Sequence, residues 1–136
     1  MAEVCDGVAF FDANYEEAMA LAEETRDYLA RHQASERERA EPLDRMAVSC
    51  AALKVTSRLT QVMAWLLVQK AVQAGEMSRA GAAGQDYRLS GQEVCLSPRP
   101  LADRELPSVF ADIYDRSRKL YERVERLDSM MQRPPN

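Results

Sequence analysis

From about Asp44 to Ala74 apolar residues recur at helical spacing, and they do so along two separate lines. Met46, Cys50, Leu53, Ser57, Thr60, Ala64, Leu67, Ala71 and Ala74 advance by alternating steps of four and three, the spacing of one helix face. Val48, Ala52, Val55, Leu59, Val62 and Leu66 form a second line with the same alternation. At about 100° per residue, Ser57 and Leu59 lie roughly 200° apart, so the two lines are on opposite sides. A helix that is apolar on both sides is covered on both sides. The first line is assigned to the core of a bundle, with Leu67 buried against two other helices. The second, with Val55, Leu59, Val62 and Leu66 and with Trp65 near its rim, is assigned to a two-fold dimer interface. Cover by the chain's own connection is the alternative. Between the lines runs a polar strip, Lys54, Arg58 and Gln61.

Two further helices flank this one. Asp12 or Asn14 can cap the first, with Glu16 and Glu17 in its first turn, where negative charge suits a helix N-terminus. Its inward face reads Tyr15, Ala18, Ala22, Thr25 and Leu29, widened by Leu21 and Tyr28, and its outward face is acidic. The residues before it, Met1 to Phe11, read as a loosely attached leader, and Ala34 to Glu41 as a charged linker. Pro42 stops what precedes it, Asp44 caps the long helix, and Gly75 closes it. The last helix starts near Pro107, and its seam is Phe110, Ile113, Ser117, Leu120, Val124, Leu127 and Met131. The expected fold is all-α. It is a single domain over 1–136, a three-helix bundle of antiparallel type, with helices at about 13–33, 44–74 and 107–131. An irregular connection over 77–105 joins the second helix to the third, with Gln85 to Leu96 laid extended over the bundle.

Composition narrows the function. The chain has 136 residues, 46% of them hydrophobic and 29% charged, values of an ordinary globular domain. Net charge is −4, which gives no general attraction for nucleic acid or anionic lipid. No signal peptide is visible, the longest apolar run is too short to enter and cross a bilayer, and the dispersed cysteines Cys5, Cys50 and Cys95 read as reduced thiols. A cytoplasmic location is expected. A lone histidine, His32, excludes two-histidine metal motifs, and no phosphate-cradling glycine loop is present. No metal, cofactor or catalytic residue is therefore expected. One enzymatic alternative stays open. Lys54, Arg58 and Gln61 share one strip and, in a dimeric helical enzyme of chorismate-mutase type, such residues line a ligand cavity. A solvated strip flanking the core is the plainer reading.

At Arg58-Leu59-Thr60, Trp65 to Val72 and Gly75-Glu76-Met77, and again at Leu120 to Val124 and Leu127-Asp128, the chain resembles the RcdA family (regulator of CtrA degradation) of alphaproteobacteria. The resemblance implies a small, helical, homodimeric adaptor without an active site. Such an adaptor brings selected substrates, including the cell-cycle regulator CtrA, to the protease ClpXP, with priming regulators as further partners. The family's flexible tail beyond the third helix is replaced here by Gln132 to Asn136, so tail-dependent steps are not carried over.

Helix three also carries Arg116, Lys119, Arg123 and Arg126 at steps of three, four and three. They form a basic stripe beside the seam. A solvated, salt-bridged face is the ordinary reading. The functional reading is a docking stripe for an acidic protein partner.

Overall fold

The computed structural model describes residues 2–36 and 41–132, with side chains over 9–31 and 41–132. The side chains of Cys5 and His32, the linker residues 37–40 and the tail after Gln132 lie outside them. Three long helices dominate: α1 (Ala2–Glu36), α2 (Pro42–Gln73) and α5 (Ser108–Met131). Between α2 and α5 lie two single-turn helices, α3 (Arg79–Ala82) and α4 (Gln92–Cys95), and a 3-10 turn over Gln85–Tyr87. The described residues contain no strand.

The ends of the helices correct several expectations. α1 begins at Ala2, so the supposed leader is helical. Asn14 is not a cap; its amide donates to the Phe10 carbonyl four residues back, inside the helix. Glu41 is extended, as a residue before proline must be, and Pro42 opens α2 in its first turn rather than merely ending what precedes it. Asp44 sits in that first turn and accepts from Arg104. At the other end the Gly75 amide bonds to Val72 and the Glu76 amide to Ala71. This is a Schellman closure, and Gly75 supplies the required positive φ of 77°.

Three sets of contacts give the helix directions. Phe11 meets Trp65 edge-on, and Asp12 pairs with Lys70. Tyr28 stacks on Phe110, Glu24 holds Arg116 and Glu17 holds Arg123, so α1 and α5 run antiparallel. Arg58 reaches Ser117 and Trp65 reaches Asp128, so α2 and α5 run parallel. The expectation of antiparallel-type neighbours fails for that pair. Parallel helices cannot be joined by a tight turn, and α5 alone is about 36 Å long at 1.5 Å per residue. The connection from Gly75 to Pro107 is long because it must travel back along the bundle.

That return segment is not laid out extended. Leu89 and Cys95 belong to the shared core, Cys95 on the α4 turn, while Val94 on the same turn is exposed. The core joins Ala18, Leu21 and Tyr28 of α1, Val55, Val62 and Leu66 of α2, and Phe110, Ile113, Leu120, Tyr121 and Val124 of α5. In the expected seam of α5, Leu127 is half-buried and Met131 is exposed.

The two lines on α2 have exchanged places. Val55, Leu59, Val62, Trp65 and Leu66, expected at a dimer interface, are 0–5% exposed within the single chain. Leu53 and Leu67, expected in the core, are 70% and 50% exposed, and Met46 is exposed as well. Periodicity cannot rank two lines of equal period. The buried line carries the branched and bulky side chains that fill space between three elements, whereas the exposed line has Ser57, Thr60 and Ala64 at its centre.

Candidate partner-binding surfaces

The two cations of the polar strip on α2 are not solvated. Lys54 and Arg58 are buried and face the return segment. The Lys54 ammonium donates to the carbonyls of Val94 and Ser97 at 2.7 and 2.8 Å and to the Ser97 hydroxyl at 2.6 Å. Arg58 Nε donates to the Cys95 carbonyl at 2.8 Å. Arg58 Nη1 donates to the Tyr114 carbonyl at 2.9 Å and the Ser117 hydroxyl at 3.1 Å, and the guanidinium lies 4.2 Å from the centre of the Tyr114 ring. Ser90 donates to Gln61, and the Tyr121 hydroxyl to the Ser90 carbonyl. A run of carbonyls that no ladder satisfies is thus met by two cations, since buried main-chain acceptors need donors. Burial first, then neighbouring Arg58, pushes the Lys54 ammonium below its usual range. Burial likewise pushes the Cys95 thiol and the Tyr121 phenol up, leaving Cys95 a packing residue rather than a nucleophile.

The four α5 cations expected to share a stripe, Arg116, Lys119, Arg123 and Arg126, do not form one open surface. Arg116 makes a two-pronged bond to Glu24 at 2.7 and 2.9 Å and a third to Asp112 at 2.8 Å. Arg123 donates to Asn14 and Glu17 at 3.0 and 2.8 Å. These two arginines staple α5 to α1, the salt-bridged arrangement that is the ordinary reading of the stripe. Lys119 pairs with Asp115 along its own helix, and Arg126 is exposed. The signal was present in the sequence: Glu17 and Glu24 are seven residues apart, as are Arg116 and Arg123, and antiparallel helices match them pairwise. The Arg116 hydrogen bond, the largest influence on Glu24, holds that carboxyl below its ordinary value.

Asp128, which in the sequence carries only part of a family motif, is a buried polar anchor. It accepts from the Trp65 indole at 2.9 Å and from Arg88 at 3.3 and 3.4 Å. Its position in a helical seam gave no hint, because its partners come from α2 and the return segment. Trp65 is consequently interior, not at an interface rim.

What remains open is one long face of α2. Met46, Leu53, Thr60, Ala64 and Leu67 are exposed along it, and Cys50, Ser57 and Ala71 are half-buried. The only charged residues between Met46 and Gln69 are Lys54 and Arg58, both turned inward. Lone exposed apolar residues are commonplace, but an uncharged apolar line of this length marks a contact surface.

Among the described residues no group of three or more His, Cys, Asp or Glu side chains is placed to hold a metal ion. No described helix is long and apolar enough to cross a membrane. No curated protein matches the chain. Among solved structures it is similar to the crystal structure of RcdA from Caulobacter crescentus CB15, with 34% identity over 89% of each chain and a TM-score of 0.70. The family model described as a protein of unknown function, DUF1465, matches residues 7–136. Taken with the RcdA-like helical fold, that match makes this chain a member of the DUF1465 family, the family of RcdA.

Proposed function

We propose that the protein is a non-enzymatic, cytoplasmic adaptor that brings selected substrates, CtrA among them, to the ClpXP protease together with its priming regulators. The likeness to RcdA over 89% of both chains carries this reading. The architecture is consistent with it. The buried cations serve the fold, and the surface left over suits protein contact. Lys54 and Arg58 spend their donors on main-chain carbonyls, which argues against the chorismate-mutase alternative. The test is reconstituted degradation of CtrA by ClpXP and its priming factors, with and without this protein. Accelerated, saturable loss of CtrA supports the adaptor role. An unchanged rate with every factor present overturns it, and a chorismate mutase assay run beside it scores the alternative.

The adaptor acts as a homodimer through the open face of α2, not the face first expected. The line advances by an unbroken four–three alternation, as in a coiled-coil seam. Its larger members, Met46, Leu53 and Leu67, occupy one heptad position, and Cys50, Ser57, Ala64 and Ala71 the other. When two copies of α2 lie antiparallel about a two-fold axis between Ser57 and Thr60, Leu53 meets Ala64, Leu67 meets Cys50 and Met46 meets Ala71 of the second copy. Every large side chain then faces a small one, as a self-complementary interface requires.

A further inference from the structure

The end of the bundle where α2, α3 and α5 converge holds a cleft of about 510 Å³. Its apolar lining comes from Trp65, Val72, Ala82, Ala83, Met130 and Met131. That size and character suit a small apolar ligand group. The two methionines at its edge are exposed, and flexible thioethers adapt to varied apolar shapes.

Four polar side chains also line it, Gln69, Arg79, Asp128 and Gln132, of which Gln69 and Asp128 are buried. Gln69 is 4% exposed, and its amide has no hydrogen-bond partner among the described residues. No fully enclosed polar side-chain atom of the described residues is left unsatisfied. The Gln69 amide therefore reaches the cleft rather than being sealed in the core. A ligand that displaces the water in the cleft must offer this amide a donor and an acceptor of its own or leave it stranded. Asp128 also lines the cleft, but its two oxygens are taken by Trp65 and Arg88. The cleft is thus not built to select a cation.

We infer that this cleft docks a short peptide segment of a partner protein, taking one apolar side chain between the methionines and Trp65 and one main-chain amide against Gln69. A primary amide presents a donor and an acceptor side by side, and the peptide group presents the matching acceptor and donor. A nucleobase edge offers similar atoms, and Arg79 in the lining suits its phosphate, but the aliphatic edge formed by Met130 and Met131 is matched by a peptide side chain, so adenosine monophosphate is the competing probe. This deepens the adaptor reading, on which it rests for the source of the peptide.

The probes are capped tripeptides, Ac-Ala-X-Ala-NH2 with X as Leu, Met, Ser or Asp, titrated into the full chain. Trp65 is the single tryptophan, so its fluorescence reports the cleft directly, and the Gln69 side-chain amide is followed by NMR. Saturable shifts of both signals are expected with Leu and Met, and binding about tenfold or more weaker with Ser and Asp. Gln69→Met keeps the shape without the amide and should weaken the Leu peptide about three- to tenfold. Ala83→Phe, at an exposed position in the lining, should abolish binding with the fold retained. Equal binding of Leu and Ser peptides, no saturable shift with any peptide, or shifts with adenosine monophosphate alone overturns the inference. So does a chain ending at Gln132 whose Trp65 signal moves without peptide while peptide affinity rises, since the occupant would then be the chain's own tail. Peptide binding is read without protease. Intact binding with no CtrA delivery sinks only the adaptor reading, and delivery without binding sinks only the cleft.

Discussion

The Trp65 indole donates a 2.9 Å hydrogen bond to Asp128, which ties the last third of α2 to the last turn of α5. Asp128 is 2% exposed and is held on its other oxygen by Arg88 of the return segment. One carboxylate therefore joins three parts of the chain at the end of the bundle. Asp128→Ala strands the buried indole N–H and removes the ion pair of the exposed Arg88. A hydrogen bond to a charged group contributes about 1.5–3 kcal/mol, so the loss should be at least of that order. Asp128→Asn keeps an acceptor and should cost less. Thermal melts of the two variants decide it, and equal melting of Asp128→Ala and wild type would show that the bond contributes nothing.

The exchange of faces on α2 makes opposite predictions for adjacent residues. Leu66→Ala empties a fully buried site and should cost about 2–5 kcal/mol. Leu67→Ala, at a half-exposed site, should stay within about 0.5 kcal/mol when measured at dilution. Chemical denaturation of both variants checks this, and the reverse order would restore the face first assigned to the core.

Leu53→Glu with Leu67→Glu places charge on the open face without entering the core. The pair should yield a monomer with unchanged helicity while the wild type sediments as a dimer at micromolar concentration. A wild-type monomer under those conditions removes the antiparallel α2 pairing.

Arg58→Met keeps much of the side-chain volume and deletes its donors. The Cys95 carbonyl loses its donor, while the Tyr114 carbonyl and the Ser117 hydroxyl keep each other. Each buried polar group left unsatisfied costs about 1–3 kcal/mol. Amide hydrogen exchange over the return segment should accelerate more than that of α1. Uniform exchange in wild type and variant would show that the clamp does not hold the segment.

Glu24 and Arg116 link stability to acid. Because the folded-state pKa of Glu24 lies below the unfolded value, its contribution is present above that unfolded value and disappears as pH falls through the folded one. Both side chains are more than a third exposed, so the coupling should not exceed about 1 kcal/mol and should shrink with salt. A double-mutant cycle with Glu24→Gln and Arg116→Gln at neutral and acid pH measures it. A coupling that persists at low pH would exclude the carboxylate as its source. Arg116→Glu with Arg123→Glu should also lower the melting temperature, because both reversals place carboxylates against Glu24 and Glu17.

The sequence by itself determined the all-helical class, the closure at Gly75 and most of the buried seam of α5. These rest on local physics: period, capping and propensity act within one or two turns. The resemblance to RcdA was likewise carried by contiguous residues from Arg58 to Glu76. Tertiary structure alone decided which side of α2 is inside. Two lines with the same period bury equally well on paper, and the choice falls to the elements that arrive from elsewhere in the chain. The same holds for Lys54 and Arg58, whose partners are main-chain carbonyls about forty residues away that no spacing rule encodes. It holds for Arg116 and Arg123, which read as an exposed stripe until α1 is laid beside them. Gln69 sits in a helix as any glutamine does, and only the convergence of α2, α3 and α5 turns it into a buried amide facing a cleft.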